Sequence, residues 1–356
     1  MHMADALVSP AVAVTMYAAS AAAAGVSLVQ LHKEEAAAPE LAKKKLPTMA
    51  VMSALVFAGQ MINYTIPGTG SSGHLCGGML LSAILGPWAG FLSMIVILAI
   101  QALFFADGGL LALGANVWNM AFYGCFVGYF LIYRPLMQGR LLAGKGRTKL
   151  VLASVLGCVV TLQLGAFSVV VETSLSGITA LPFGAFAALM QPIHLAIGLV
   201  EGGITAAVLL FVYQTRPELL QCASAGAKNR CSRRAALAIL AAAALVIGGG
   251  LSLLASSNPD GLEWSLFGNE EAGYSANMGL DEEAYGAESA AAEKAAAVQE
   301  KTSLLPDYNF DGSDSAAGTS VSGLVGCALV AALAAIISLA GRAARKRSGK
   351  KQASAG

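Results

Sequence analysis

The chain begins Met1-His2, and His2 is one of only four histidines in 356 residues. A free amine followed by histidine makes a tridentate chelator. The amine, the deprotonated amide nitrogen of His2 and its imidazole Nδ1 close fused five- and six-membered rings around one metal. A fourth nitrogen from another imidazole completes a square plane. That geometry suits Ni(II) or Cu(II), and Co(II) is also accommodated by nitrogen donors, whereas Mg and Ca call for oxygen. The chemistry requires a deformylated, retained Met1, and a bulky second residue favours retention. It also implies pH dependence, because amine and imidazoles must be proton-free to bind metal, and the imidazole range near a pKa of about 6.5 is where affinity is expected to fall.

Other polar groups stand in apolar surroundings. His74 lies in GTGSSGHLCGG (68–78), whose glycines permit close backbone approach. It could be a ligand, or a residue opening a short helix. His194 and Glu201, seven apart in QPIHLAIGLVEGG, share a helical face. Ionisable groups within a membrane are costly and mark function, so a relay or a ligand-supporting role competes with a structural polar pair. Asp107, Asn116 and Asn119 lie in FADGGLLALGANVWNM, and the two asparagines, three apart, suit hydrogen bonding between helices. Ser71, Ser72, Asp107, Asn116, Asn119, His194 and Glu201 are therefore the candidates to surround a metal held by the histidines.

Two motifs point elsewhere. GRLLAGKG (139–146) nearly matches a phosphate-binding loop, but Gly146 follows Lys145 where Ser or Thr is required, and no strand precedes it. The chain should not hydrolyse ATP itself. GSSGHLCG (70–77) reads as G-x-S-G-x-x-x-G, the nucleophile pattern of rhomboid intramembrane proteases, with His194 as the base for Ser72. The H-x-x-x-N element of those enzymes is missing.

These residues sit in a chain that is 56 % hydrophobic and 12 % charged, about half the charged share of a soluble domain. Its apolar blocks approach the ~20 residues needed to cross hydrocarbon. The expected class is an all-α polytopic membrane protein. Net charge is +1, so bulk charge indicates no nucleic-acid partner. The six cysteines form no C-x-x-C pair and read as small packing residues rather than a disulfide or zinc framework.

Apolar runs lie near 8–30, 47–66, 75–105, 111–133, 150–171, 182–214, 235–256 and 321–340. Basic clusters flank them at 43–45, 134–149, 228–234 and 342–351. All four fall on one side, the cytoplasmic one, only if 75–105 is two crossings hinged at Gly86-Pro87. Nine helices follow, with the N-terminus outside and the C-terminus inside a cell membrane. The acidic stretch 257–320 is then extracellular and reads as a solvated linker, with a short helix expected at most in its alanine-rich 287–301. Replacing Asp281, Glu282 and Glu283 there with amides should change uptake little. The expected organisation is a seven-helix module over 1–230, a two-helix module over 231–345 with the 257–320 loop, and a basic cytoplasmic tail over 346–356.

The N-terminal MH, GSSGHLCGG, LGPWAG, QALFFADGGLLALGANVWNM and HLAIGLVEGGIT, in that order, resemble the CbiM/NikM family of cobalt- and nickel-binding membrane subunits of energy-coupling-factor transporters. NPDGLEW (258–264), the acidic stretch and the final helix resemble the small companion subunit of the same systems, here fused. The resemblance implies a seven-helix substrate-binding module that works with a membrane coupling protein and ABC-type ATPases. It implies metal held by the Met1 amine, His2 and His74, with Ni2+ or Co2+ as substrate for cobalamin biosynthesis or nickel enzymes, and no cofactor. The sequence does not choose between the two metals. An intramembrane serine protease and an ATPase-independent metal carrier are the competing readings.

Overall fold

The computed structural model describes residues 1–139, 146–178, 181–222, 229–274, 289–310 and 315–353. The N-terminal module contains α1 (Pro10–Ala37), α2 (Pro39–Gln60), a hairpin of β1 (Tyr64–Ile66) and β2 (Ser71–Gly73), α3 (Gly78–Leu85), α4 (Pro87–Phe104), α5 (Leu113–Met137), α6 (Gly146–Ser176) and α7 (Phe183–Thr215). The C-terminal module contains α8 (Arg233–Gly249), α9 (Gly261–Phe267), α10 (Ala290–Thr302) and α11 (Ala316–Ala353). By length and composition α1, α4, α5, α6, α7 and residues 316–337 of α11 suffice to cross a membrane. These are six spans among the described residues where the sequence leads one to expect nine; α2, α3 and α8 lie at the positions of the other three.

Helix α1 starts at Pro10, a residue pre-set for the first helical turn, behind Ser9, whose side chain accepts a hydrogen bond from the Val12 amide. The residues before it are therefore not part of the first crossing. They run back into the bundle, with Met3, Leu7 and Val8 fully buried. The long apolar run 75–105 breaks where expected. Gly86 takes a φ of 85°, which favours glycine, and Pro87 opens α4. The first arm is shorter than a crossing, since eight residues rise about 12 Å against ~30 Å of hydrocarbon.

What stands above α3 is the PGTGSSG segment. It supplies the turn and second strand of an antiparallel hairpin that pairs Tyr64 with Gly73, Thr65 with Ser72 and Ile66 with Ser71. The run 71–85 is buried throughout, so hairpin and half-helix fill the bundle interior together. Packing of α7 on α6 relies on Gly202, where a Cβ would lie 2.7 Å from the Val155 Cα. Small residues of this kind let membrane helices approach closely.

The C-terminal module docks along the N-terminal one. Helices α8 and α11 both pack on α2. The described part of the expected linker 257–320 is docked structure: Pro259 O accepts from the Ser72 amide, the Leu305 amide donates to Phe104 O, and the Asp307 amide to Phe105 O. The alanine-rich stretch is the helix α10, whose Gln299 donates to Ala102 O and Gly108 O. Asp281, Glu282 and Glu283 lie outside the described residues. Helix α11 runs on to Ala353 through most of the expected tail.

Candidate metal centre

The first residues, the hairpin and the start of the C-terminal module meet at one point. The Met1 amine lies 3.4 Å from His74 Nε2. The His2 and His74 rings stack with centroids 5.1 Å apart. Asparagine 116 holds the terminus in place: Asn116 Oδ1 accepts from the Met3 amide at 2.7 Å and Asn116 Nδ2 donates to Met3 O at 3.1 Å. The Gly109 amide adds a second bond to Met3 O. The Met1 side chain is itself buried, so the chain end is a packed part of the core.

His74 is fixed from both sides. Its Nδ1 is 3.1 Å from Leu75 O, which can only accept, so Nδ1 carries the proton and Nε2 keeps its lone pair facing the amine. Directly after it, the Glu201 carboxylate accepts from the amides of Cys76 and Gly77, each at 2.9 Å. A buried carboxylate with two main-chain donors is an anchor for the turn that carries His74.

Two carboxylates engage the nitrogens a metal would need. Asp260 Oδ2 accepts from the Met1 amine at 2.6 Å. Asp107 Oδ1 lies 3.1 Å from His2 Nδ1. Asp260 belongs to the C-terminal module, where it caps α9 in a capping box with Glu263. Asp107 belongs to the N-terminal module but accepts a hydrogen bond from Tyr308 of the C-terminal one. The electrostatics follow. Burial pulls the Met1 amine down, yet the adjoining Asp260 charge outweighs it and the net shift is upward from 8.0. Burial lowers His2 despite Asp107, and burial, the amine and His2 together lower His74 to about 3. Burial raises Asp260, but the amine and His74 outweigh it and hold its carboxyl below the usual range. Both imidazoles are thus neutral at neutral pH, and the amine, not an imidazole near 6.5, is the group of the three that is protonated there.

The other candidates divide. Asn119 donates to Glu172 at 2.7 Å and to the Met3 sulfur, so it supports the terminus from one residue further out. His194 donates from Nδ1 to Met190 O, and its Nε2 has no hydrogen-bond partner. It lines an enclosed cavity of about 10 Å³ with Met1, His74, Cys76 and Asp260. Ser71 and Ser72 do not join the centre. Ser71 donates to Ser72 O, and Ser72 donates to Asn258 O and Pro259 O, the segment that delivers Asp260. Among the described residues no hydrogen bond joins Ser72 to His194, as a serine–histidine dyad would need.

Asp260 and Tyr308 were not singled out from the sequence. DGLE at 260–263 is a readable capping box, but nothing local says that its aspartate will reach residue 1. Among the described residues no three His, Cys, Asp or Glu side chains are placed to hold a metal.

Two family models match different parts of the chain. A family model described as the cobalt uptake substrate-specific transmembrane region, CbiM, matches residues 2–219. A PDGLE domain model matches residues 234–343. A protein of Archaeoglobus fulgidus named as a fused nickel transport protein, NikMN, is 34 % identical over 337 residues, covering 94 % of this chain and 96 % of its own. A cobalt transport protein CbiM of Sorangium cellulosum is 35 % identical over 174 residues, covering 49 % of this chain and 76 % of its own. A crystal structure of a truncated transition metal transporter aligns with a TM-score of 0.50 at 35 % identity, over 60 % of this chain and 98 % of that one.

Proposed function

This chain belongs to the CbiM family, with a PDGLE domain joined to its C-terminal side, and from that premise we propose that it captures Ni2+ or Co2+ at its N-terminus for uptake across a cell membrane. The donors are the Met1 amine, the His2 amide, His2 Nδ1 and His74 Nε2. One observation carries the reading: the Met1 amine and the His74 Nε2 lone pair lie 3.4 Å apart. Nitrogens in adjacent corners of a square plane, with metal bonds of about 2.0 Å, are roughly 2.8 Å apart. A closure of well under 1 Å forms that edge. Binding also requires the amine to lose a proton and leave Asp260, the His2 amide to lose its proton, and His2 Nδ1 to leave Asp107 with the ring proton moved to Nε2.

The chain works as the substrate-binding component of an energy-coupling-factor transporter, with a membrane coupling protein and ABC-type ATPases as partners. Its own near-match to a phosphate-binding loop lacks the Ser or Thr that would hold Mg2+. The N-terminus and the metal centre face outside, and the loops after α1, α5 and α7 face the cytoplasm. Support comes from α7, which runs 21 residues from His194 beside the centre to Thr215 at the Arg216 end, about 30 Å and so the thickness of the hydrocarbon.

Metal analysis of the purified full-length protein, with electronic spectra, tests the centre. One Ni2+ or Co2+ per chain is expected, with a square-planar spectrum for nickel. An uncleaved N-terminal extension or His2→Ala should abolish it. An extended protein that retains stoichiometric metal would overturn the reading.

A further inference from the structure

Above the stacked histidines lies a cavity of about 490 Å³ whose described lining includes five carboxylates, Asp5, Asp107, Asp260, Glu263 and Asp307, and no lysine or arginine. Both modules contribute to it. Asp5 and Asp107 come from the N-terminal module, and Asp260, Glu263 and Asp307 from the C-terminal one. Asp260 is taken up by the Met1 amine. Glu263 and Asp307 have no cationic partner, and their carboxyls are raised: Glu263 by the charge of Asp260 and then burial, Asp307 by burial and then the charge of Asp107.

A second observation is independent of the charges. The side chain of His2 lines the same cavity and is only 8 % exposed; its Nε2 feels the nearby Gln101 side chain but, among the described residues, completes no hydrogen bond. Asp107 can only accept from Nδ1, so in the neutral ring Nδ1 carries the proton and Nε2 is a bare lone pair. A buried lone pair without a donor is costly unless something else satisfies it. The carboxylates are not grouped tightly enough to ligate a bare ion. The cavity does have room for a hydrated one, since six waters at about 30 Å³ each occupy about 180 Å³.

We propose that this vestibule is an outer cation site, in which Asp107, Glu263 and Asp307 hold a hydrated divalent first-row cation through its aqua ligands and the His2 Nε2 lone pair supplies its first nitrogen. The proposal rests on the reading of Met1, His2 and His74 as the inner site. The ion arrives hydrated and exchanges water for nitrogen at His2 Nε2; it moves inward as Nε2 releases it, the ring proton passes from Nδ1 through Asp107 to Nε2, and the freed Nδ1 turns to the metal. The fused C-terminal module is thereby part of the metal's path, supplying two of the three holding carboxylates.

The test uses full-length protein in discs of uncharged lipid and the double variant Glu263→Gln/Asp307→Asn. Glutamine keeps the acceptor of the capping box, and asparagine tolerates the positive φ of residue 307, so charge is removed with little change of shape. At low ionic strength Ni2+ association should slow by ~10-fold in the variant, and at high salt the two proteins should converge, because the effect is electrostatic steering. The bound stoichiometry should stay at one. An unchanged rate at low salt, or a slowing that persists equally at high salt, would overturn the proposal. Mn2+, which suits oxygen donors, separates this from a failure of the inner site. Protein that keeps Glu263 and Asp307 but carries His2→Ala should lose Ni2+ at the inner site, whatever the vestibule does. Titrated with Mn2+ and followed by electron paramagnetic resonance, the wild-type chain should take up one weakly held ion and the double variant should bind it several-fold more weakly. Equal Mn2+ binding would sink the outer site even if the chelate stands.

Discussion

Met1 and Asp260, 259 positions apart, meet through an amine–carboxylate contact of 2.6 Å. The contact ties the first atom of the N-terminal module to the helix cap of the C-terminal one. It occupies the amine that the proposed chelate requires, so metal binding and the docking of Asp260 compete for the same nitrogen.

Removing that charge should move the pH dependence of binding. The amine's pKa is raised from 8.0 by Asp260 against burial, so the amine is protonated at neutral pH and metal must displace the proton. Affinity should fall as pH falls from above 8 through neutrality. Asp260→Asn leaves burial unopposed, lowers the amine's pKa and shifts the midpoint of Ni2+ binding to lower pH. Calorimetry in buffers of different ionisation enthalpy should show fewer protons released by the variant at pH 7. Equal proton release would count against the amine as a ligand.

The same pair sets the stability of module docking. Asp260 is depressed below its usual 3.8 and the amine is raised above 8.0. The carboxylate's contribution is present above pH ~4 and fades as pH falls below it, and the amine's is present below 8 and fades as pH rises through the raised value. Protease protection of the 256–274 segment should therefore be greatest between those limits and drop on the alkaline side, with the alkaline drop absent in Asp260→Asn.

Glu201→Gln tests the anchor behind His74. The carboxylate accepts from both Cys76 and Gly77, whereas an amide accepts from only one and buries an unpaired NH2. A loss of about 1–3 kcal/mol is expected, read as a lower melting temperature. Ni2+ affinity should weaken with it, because the turn that places His74 is loosened. Unchanged stability would show that the two amides find other acceptors.

Orientation is checked by impermeant thiol labelling of whole cells. A cysteine introduced at Tyr274 should react and one at Arg147 should not. The reverse pattern would invert the membrane topology and put the metal centre on the cytoplasmic side.

Energy coupling has its own test. Purified alone into vesicles, the chain should bind metal yet show no ATP-driven accumulation, and uptake should return with the coupling protein and ATPases. Concentrative ATP-dependent uptake by the chain alone would end the subunit reading.

Composition and patterning were enough to make this a helical membrane protein, because hydrocarbon demands long apolar helices whatever their sequence details. The break at Gly86-Pro87 was equally local, since those residues constrain their own backbone. Met1, His2 and His74 could be nominated because few residue types chelate, and a chelating amine must be at the start of the chain. What the sequence could not contain was the partner of each nitrogen. That Asp260 reaches Met1, that Asp107 faces His2 while held by Tyr308, and that Glu201 anchors the turn after His74 depend on contacts over 105 or more positions in the chain. Such contacts are chosen by packing of the whole bundle, in which a charge is retained only where folding brings it a partner. Ser72 makes the same point in reverse. Its motif looked catalytic, and tertiary structure spent its hydroxyl on the backbone of the segment that carries Asp260.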